Sequence, residues 1–75
     1  MSLTKAVTQH PPLAPFWRLP KVLEFTALSR STILRKVDRK EFPKPVKLSE
    51  NSVAWSAAEV QQWAADRIAA RDKAA

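Results

Sequence analysis

Five cationic side chains, Arg30, Arg35, Lys36, Arg39 and Lys40, fall within residues 30–40, immediately after Ser29. At about 100° per residue in a helix, Arg35 and Arg39 share one side with Ser31 and Thr32. Ile33, Leu34 and Val37 lie on the other. The chemistry open to such a face is recognition of a polyanion. Ser31 and Thr32 are small enough to let a helix approach base edges closely. Arg35 can fork onto the O6 and N7 of a guanine. Lys36 and Arg39, further along, are suited to phosphate contacts. Ser29 can cap the helix through a backbone N–H one turn in, and the N–H groups beside it and Arg30 attract a phosphate. A solvated helix surface accounts equally well for the charge pattern taken alone.

A second set of candidates, Lys44, Lys47 and Asn51, follows in a segment that cannot be helical, because Pro43 and Pro45 sit one residue apart. Such a segment suits an edge strand or an extended wing. Lysines on an edge strand also serve simply to keep it from pairing with other chains. Their sign matches that of the preceding helix, which favours a shared ligand.

Bond-making chemistry has no support. The chain has one His, no Cys and no Gly. It therefore lacks a glycine-rich phosphate loop and a base to activate Ser29, Ser31 or Thr32 as nucleophiles. His10 has no metal-ligating companions. The acids Glu24, Asp38, Glu41, Glu50, Glu59, Asp66 and Asp72 are scattered, with no obvious acid/base pair. No catalytic residue, metal ligand or cofactor is expected.

The elements that must position these residues follow from the apolar spacing. Residues 1–15 read as a flexible arm, broken by Pro11, Pro12 and Pro15, on which Lys5 could meet a phosphate. Phe16 to Leu19 is a short extended lead-in. Pro20 suits the first position of a helix of about two turns that carries Val22, Leu23 and Phe25. Leu28-Ser29 is a turn, and the second helix is expected from Arg30 to about Lys40. Phe42, Val46 and Leu48 are expected to point inward, with Lys44 and Lys47 outside. Ser49 to Ser52 forms a hairpin tip. With no glycine available, a loop of several residues is expected there, with Asn51 best able to turn left-handed. Val53-Ala54-Trp55 is the returning strand. Ser56-Ala57-Ala58-Glu59 is a capping box that opens a third helix with Val60, Trp63, Ala64 and Ile68 inward. Residues 71–75 read as a frayed end. Trp55 and Trp63 fall in phase with core positions, which suits packing better than stacking on single-stranded bases.

Seventy-five residues with a net charge of +6 make one small basic domain, whose charge favours a polyanionic partner. No apolar run approaches the roughly 20 residues that cross a bilayer, and no secretory signal is evident. The expected fold class is α+β, mostly α: a small winged helix-turn-helix over residues 16–70, with three helices and a two-stranded wing. Residues 30–40 would be its recognition helix.

Several short stretches strengthen this. Arg18-Leu19-Pro20-Lys21-Val22-Leu23, Leu28-Ser29-Arg30-Ser31-Thr32-Ile33, Glu41-Phe42-Pro43-Lys44-Pro45-Val46-Lys47-Leu48, Val53-Ala54-Trp55 and the Glu59–Trp63 spacing resemble, in that order, the AlpA family of phage and prophage regulators. The likeness covers about Phe16 to Ala69. It implies a winged helix-turn-helix similar to MerR-type and excisionase domains. Members of such families regulate integrase genes or act as recombination directionality factors. The resemblance carries the recognition-helix role onto Arg30, Ser31, Thr32 and Arg35, and the wing role onto Lys44 and Lys47. The family often has Gly where Ala27, Lys40 and Ser49 stand, and a wing-tip Arg where Asn51 stands. Lys40 in place of Gly either extends the second helix or strains its exit.

The function expected is sequence-specific binding of double-stranded DNA by a regulator or excisionase of a mobile element. It would work in the bacterial cytoplasm at the nucleoid, beside an integrase, recombinase or RNA polymerase, with no membrane partner. A monomer in solution, cooperative on repeated sites, is expected because no heptad seam supports a stable coiled-coil dimer. A protein-interaction module, an adaptor or inhibitor using the same basic surface, is the alternative.

Overall fold

The computed structural model of the protein describes residues 15–74. Six elements follow one another: β1 (Phe16–Trp17), α1 (Leu19–Thr26), α2 (Arg30–Asp38), β2 (Val46–Ser49), β3 (Ser52–Ser56) and α3 (Ala57–Ala74). Of the expected N-terminal arm only Pro15 is among the described residues. Its carbonyl accepts the Ala57 N–H at 3.0 Å, joining the entry of the domain to the start of α3.

α1 begins at Leu19, one residue before the expected Pro20, with Arg18 extended at its N-cap. Pro20 falls in the first turn, where its missing N–H costs no helical bond. The helix stops at Ala27, which is left-handed (φ 62°, ψ 21°) and donates its N–H to the Leu23 carbonyl at 2.8 Å. Thr26 seals the turn. Its Oγ1 donates to the Val22 carbonyl at 2.9 Å and accepts the Leu28 N–H at 3.3 Å. The helix-turn-helix thus has a turn of three residues, Ala27 to Ser29, and none of them is glycine.

α2 ends at Asp38, short of the expected Lys40. The Lys40 N–H bonds to the Val37 carbonyl at 3.0 Å, and the Glu41 N–H reaches back to the Lys36 carbonyl at 2.8 Å. That pair of bonds is a Schellman stop, which requires a left-handed residue and normally takes glycine. Here Lys40 occupies it at φ 61°. Of the two outcomes open for Lys40, the strained exit is the one observed.

The sheet has three strands in the order β1-β3-β2, all antiparallel, where the sequence suggested a two-stranded wing. Phe16 pairs with Ser56 and Trp17 with Trp55, so the lead-in segment is itself a short edge strand. On the other side Val46 pairs with Ala54, Lys47 with Val53 and Ser49 with Ser52. The hairpin therefore closes with only Glu50 and Asn51 between the strands, tighter than expected, and neither has positive φ. A two-residue turn without positive φ mismatches the strand twist. The register shift between Lys47 and Ser49 absorbs the mismatch, as a bulge does by adding local twist.

The core is Trp17, Val22, Ile33, Phe42, Trp55, Ala57 and Val60, closed over by Leu19, Leu23, Leu28, Val37 and Trp63. Two tryptophans also fasten the irregular chain between α2 and β2. Trp55 Nε1 donates to the Pro43 carbonyl and Trp63 Nε1 to the Glu41 carbonyl, each at 2.9 Å. Phe42 meets the Trp63 ring edge-on at 4.9 Å. Each indole thus buries apolar area while its N–H finds an acceptor.

Four expected core positions are solvent-facing instead: Leu34, Val46, Leu48 and Ile68 are 37% to 53% exposed. β2 is an outer strand, and among the described residues no further layer covers Val46 and Leu48. Ile68 lies where α3 has outrun the body. An 18-residue helix is about 27 Å long, and everything beyond Ala64 is exposed. Residues 71–74, expected as a frayed end, continue that helix. Its start follows the expected cap, with Ser56 Oγ accepting the Glu59 N–H at 3.2 Å.

Candidate nucleic-acid interface

Ile33, fully buried, and Val37, half-buried, root α2 in the core, so its opposite side faces solvent. Ser31, Arg35 and Arg39 are exposed there, with Thr32 half-buried at the margin. The N-terminal end is ordered by hydroxyls. Ser29 Oγ accepts the Thr32 N–H at 3.2 Å and donates to Thr32 Oγ1 at 2.9 Å, with Ser31 Oγ at 3.4 Å. Thr32 Oγ1 accepts in this network, so its own proton remains available to an outside acceptor. Arg35 and Arg39 take no part in the ion pairs found among the described residues. Their guanidinium groups are therefore presented to solvent from a helix fixed at both ends.

Lys36 is placed differently. It is half-buried on the flank toward the helix exit, and its Nζ lies 3.9 Å from Glu41 Oε1. Where a Schellman stop often has an apolar contact between the same two positions, this chain has an ion pair. Lys44 lies apart as well. It precedes β2 and lines a groove against α3 that also holds Glu41, Glu59 and Asp66. Asn51 stands at the hairpin tip.

Lys47 does join the helix side. It is directly across from Val53, and paired residues project from the same face of a sheet. Val53 and Arg30 line one cleft, together with Arg18, Pro20, Leu34 and Trp55. The cleft runs between α2 and the wing and encloses about 500 Å³. Arg18 Nη1 spans it, donating to the Val53 carbonyl at 3.3 Å. The periodicity that marked out the cationic side of α2 could not point to Arg18, which lies outside any repeat. Its place at the N-cap of α1, ahead of Pro20, was the available signal. Among the described residues no group of three or more His, Cys, Asp or Glu is close enough to hold a metal. No described helix is long and apolar enough to cross a membrane.

A basic second helix rooted in a small core, with a β-hairpin wing beside it, defines the class of DNA-binding regulatory domains built on a winged helix-turn-helix. The chain belongs to the AlpA family: residues 16–68 match the family described as Prophage CP4-57 regulatory protein (AlpA). It is also 45% identical over 58 residues to the uncharacterized protein ORF88 of Enterobacteria phage P4. That alignment takes in 77% of this chain and 66% of the phage protein, just under two thirds of its length. The matched span begins at β1 and ends at the exposed Ile68 of α3, so it contains every element of the core.

Proposed function

We propose that this protein binds double-stranded DNA sequence-specifically and regulates a phage or integrated mobile element, as a transcriptional regulator, a recombination directionality factor, or both. In this reading residues 16–70 are the DNA-binding domain. α2 enters the major groove, with Ser31, Thr32 and Arg35 at base edges and Ser29, Arg30 and Arg39 toward phosphates. Lys47 and Asn51 follow the backbone or the adjacent minor groove from the wing. Lys36 and Lys44 add to the long-range attraction without standing in the contact face. The bacterial cytoplasm is the place of action, and an integrase or RNA polymerase bound alongside is the partner. The protein works as a monomer that assembles cooperatively on repeated sites.

One observation carries this reading: in a member of a prophage regulatory family, the solvent-facing side of the buried-rooted helix α2 bears Arg35 and the adjoining Arg39, neither in an ion pair among the described residues. A guanidinium so placed suits bidentate base recognition. The test is selection of bound sequences from a random duplex library at physiological salt. A short enriched motif is expected, and Arg35→Ala should lose about 1–3 kcal/mol on it and relax preference at one position. Full affinity and selectivity in that variant would remove α2 from the groove. No retention of duplex at all would shift the reading to a protein-interaction module.

A further inference from the structure

We propose that the cleft between α2 and the wing seats the sugar–phosphate backbone of one DNA strand, and that Arg18 is a phosphate-binding residue within it. This rests on the reading of the chain as a duplex-DNA binder and adds a contact on a third element, outside both recognition helix and wing.

Two guanidinium groups, Arg18 and Arg30, line the cleft, and among the described residues no carboxylate lines it with them. Lys47 projects from the same face as Val53 at its edge. The groove on the other side of the wing differs, since Glu41, Glu59 and Asp66 offset its lysines and arginine. An anion is therefore favoured in the first cleft and largely compensated in the second.

The floor of the cleft narrows the choice of anion. Leu34 is 44% and Val53 47% exposed, although both belong to elements with a buried side. A free phosphate gains nothing from such a floor. A DNA strand does, because it alternates a deoxyribose, with apolar C–H faces, and a phosphate. Leu34 and Val53 match the sugar while Arg18 and Arg30 match the phosphates that flank it.

Arg18 is also held in position. Its backbone is the N-cap of α1 and one Nη1 donor is bound to the Val53 carbonyl. A guanidinium has five N–H donors in a fixed fork, so most of them remain for an anion. The same bond ties α1 to the wing, so the residue that meets the phosphate also sets the spacing between the two DNA-contacting elements.

The experiment measures affinity of the full chain for its selected duplex and for a random duplex across a salt series, in wild type, Arg18→Gln, Arg18→Lys and Leu34→Glu. Arg18→Gln is expected to weaken both duplexes by a similar factor and to lower the slope of log K against log salt by about 0.9, the value of one lost phosphate contact. Arg18→Lys should restore the slope, which a purely structural role would not do. Leu34→Glu sits at an exposed position and should weaken both duplexes by placing a carboxylate in the cleft, beside the two guanidinium groups. Single methylphosphonate substitutions along each strand complete the test: one that weakens wild type should have little effect on Arg18→Gln. An unchanged slope in Arg18→Gln, with every methylphosphonate acting alike on both proteins, overturns the inference and leaves DNA binding intact. Failure of wild type to bind either duplex removes the underlying reading and this inference with it.

Discussion

Ala27 and Lys40 hold positive φ without being glycine, at 62° and 61°. A left-handed L-residue costs roughly 1–2 kcal/mol, because Cβ crowds the following carbonyl. Both positions terminate helices of the DNA-binding motif, so the strain lies in the hinges that orient α2. The third site where the family often carries glycine, Ser49, has no such conformation. At Lys40 the geometry is over-determined by the Glu41–Lys36 and Lys40–Val37 backbone bonds and by the Trp63 indole on the Glu41 carbonyl. Lys40→Gly should relieve the strain and stabilise the fold by about 1 kcal/mol. For a domain this small that is roughly 4–8 °C in the thermal midpoint. An unchanged or lowered midpoint by circular dichroism would mean that Lys40 sits there without strain.

Among the elements, α3 divides into two parts with different work. Its first two turns bury Ala57 and Val60 and bring Trp63 against Phe42. Beyond Ala64 it contributes no buried side chain, and its Arg71–Asp72 ion pair is exposed on both sides, a kind of pair that adds little. Ending the chain after Arg67 should therefore change unfolding stability by no more than about 0.5 kcal/mol. Ile33→Ala, on α2, should cost about 2–5 kcal/mol, since it opens a cavity where the side chain is fully buried. Denaturant titration separates the two. A large loss on truncation would show that the distal turns of α3 support the body.

For the whole molecule, a net charge of +6 on 75 residues joins a core of only a few large side chains. Such a domain is marginal by itself, and a ligand bound only by the folded state stabilises it by mass action. Selected duplex at a hundredfold excess over its dissociation constant should add about 2.7 kcal/mol. The thermal midpoint should then rise by roughly 10–20 °C, and the rise should shrink as salt is added. Scanning calorimetry with and without duplex tests this. A midpoint indifferent to duplex at low salt would argue for a protein partner.

Much of this architecture was legible in the residues themselves. The prolines at 20, 43 and 45, the caps at Ser29 and Ser56 and the apolar spacing around Ile33 and Val60 determine where helices start, where they cannot continue and which face must be covered, because those effects are local. The cationic side of α2 was equally legible, as the remainder once the apolar side was assigned. Tertiary structure alone decided the rest. It recruited Phe16-Trp17 as a third strand, because β3 had an open edge beside the start of the domain. It left Val46, Leu48, Leu34 and Ile68 exposed among the described residues, because burial depends on what packs over a side chain and not on its apolar character. It turned Lys36 toward Glu41 and Lys44 toward α3, and it brought Arg18 beside Arg30 and Val53. Those outcomes depend on which residues distant in the chain become neighbours, and periodicity carries no information about that.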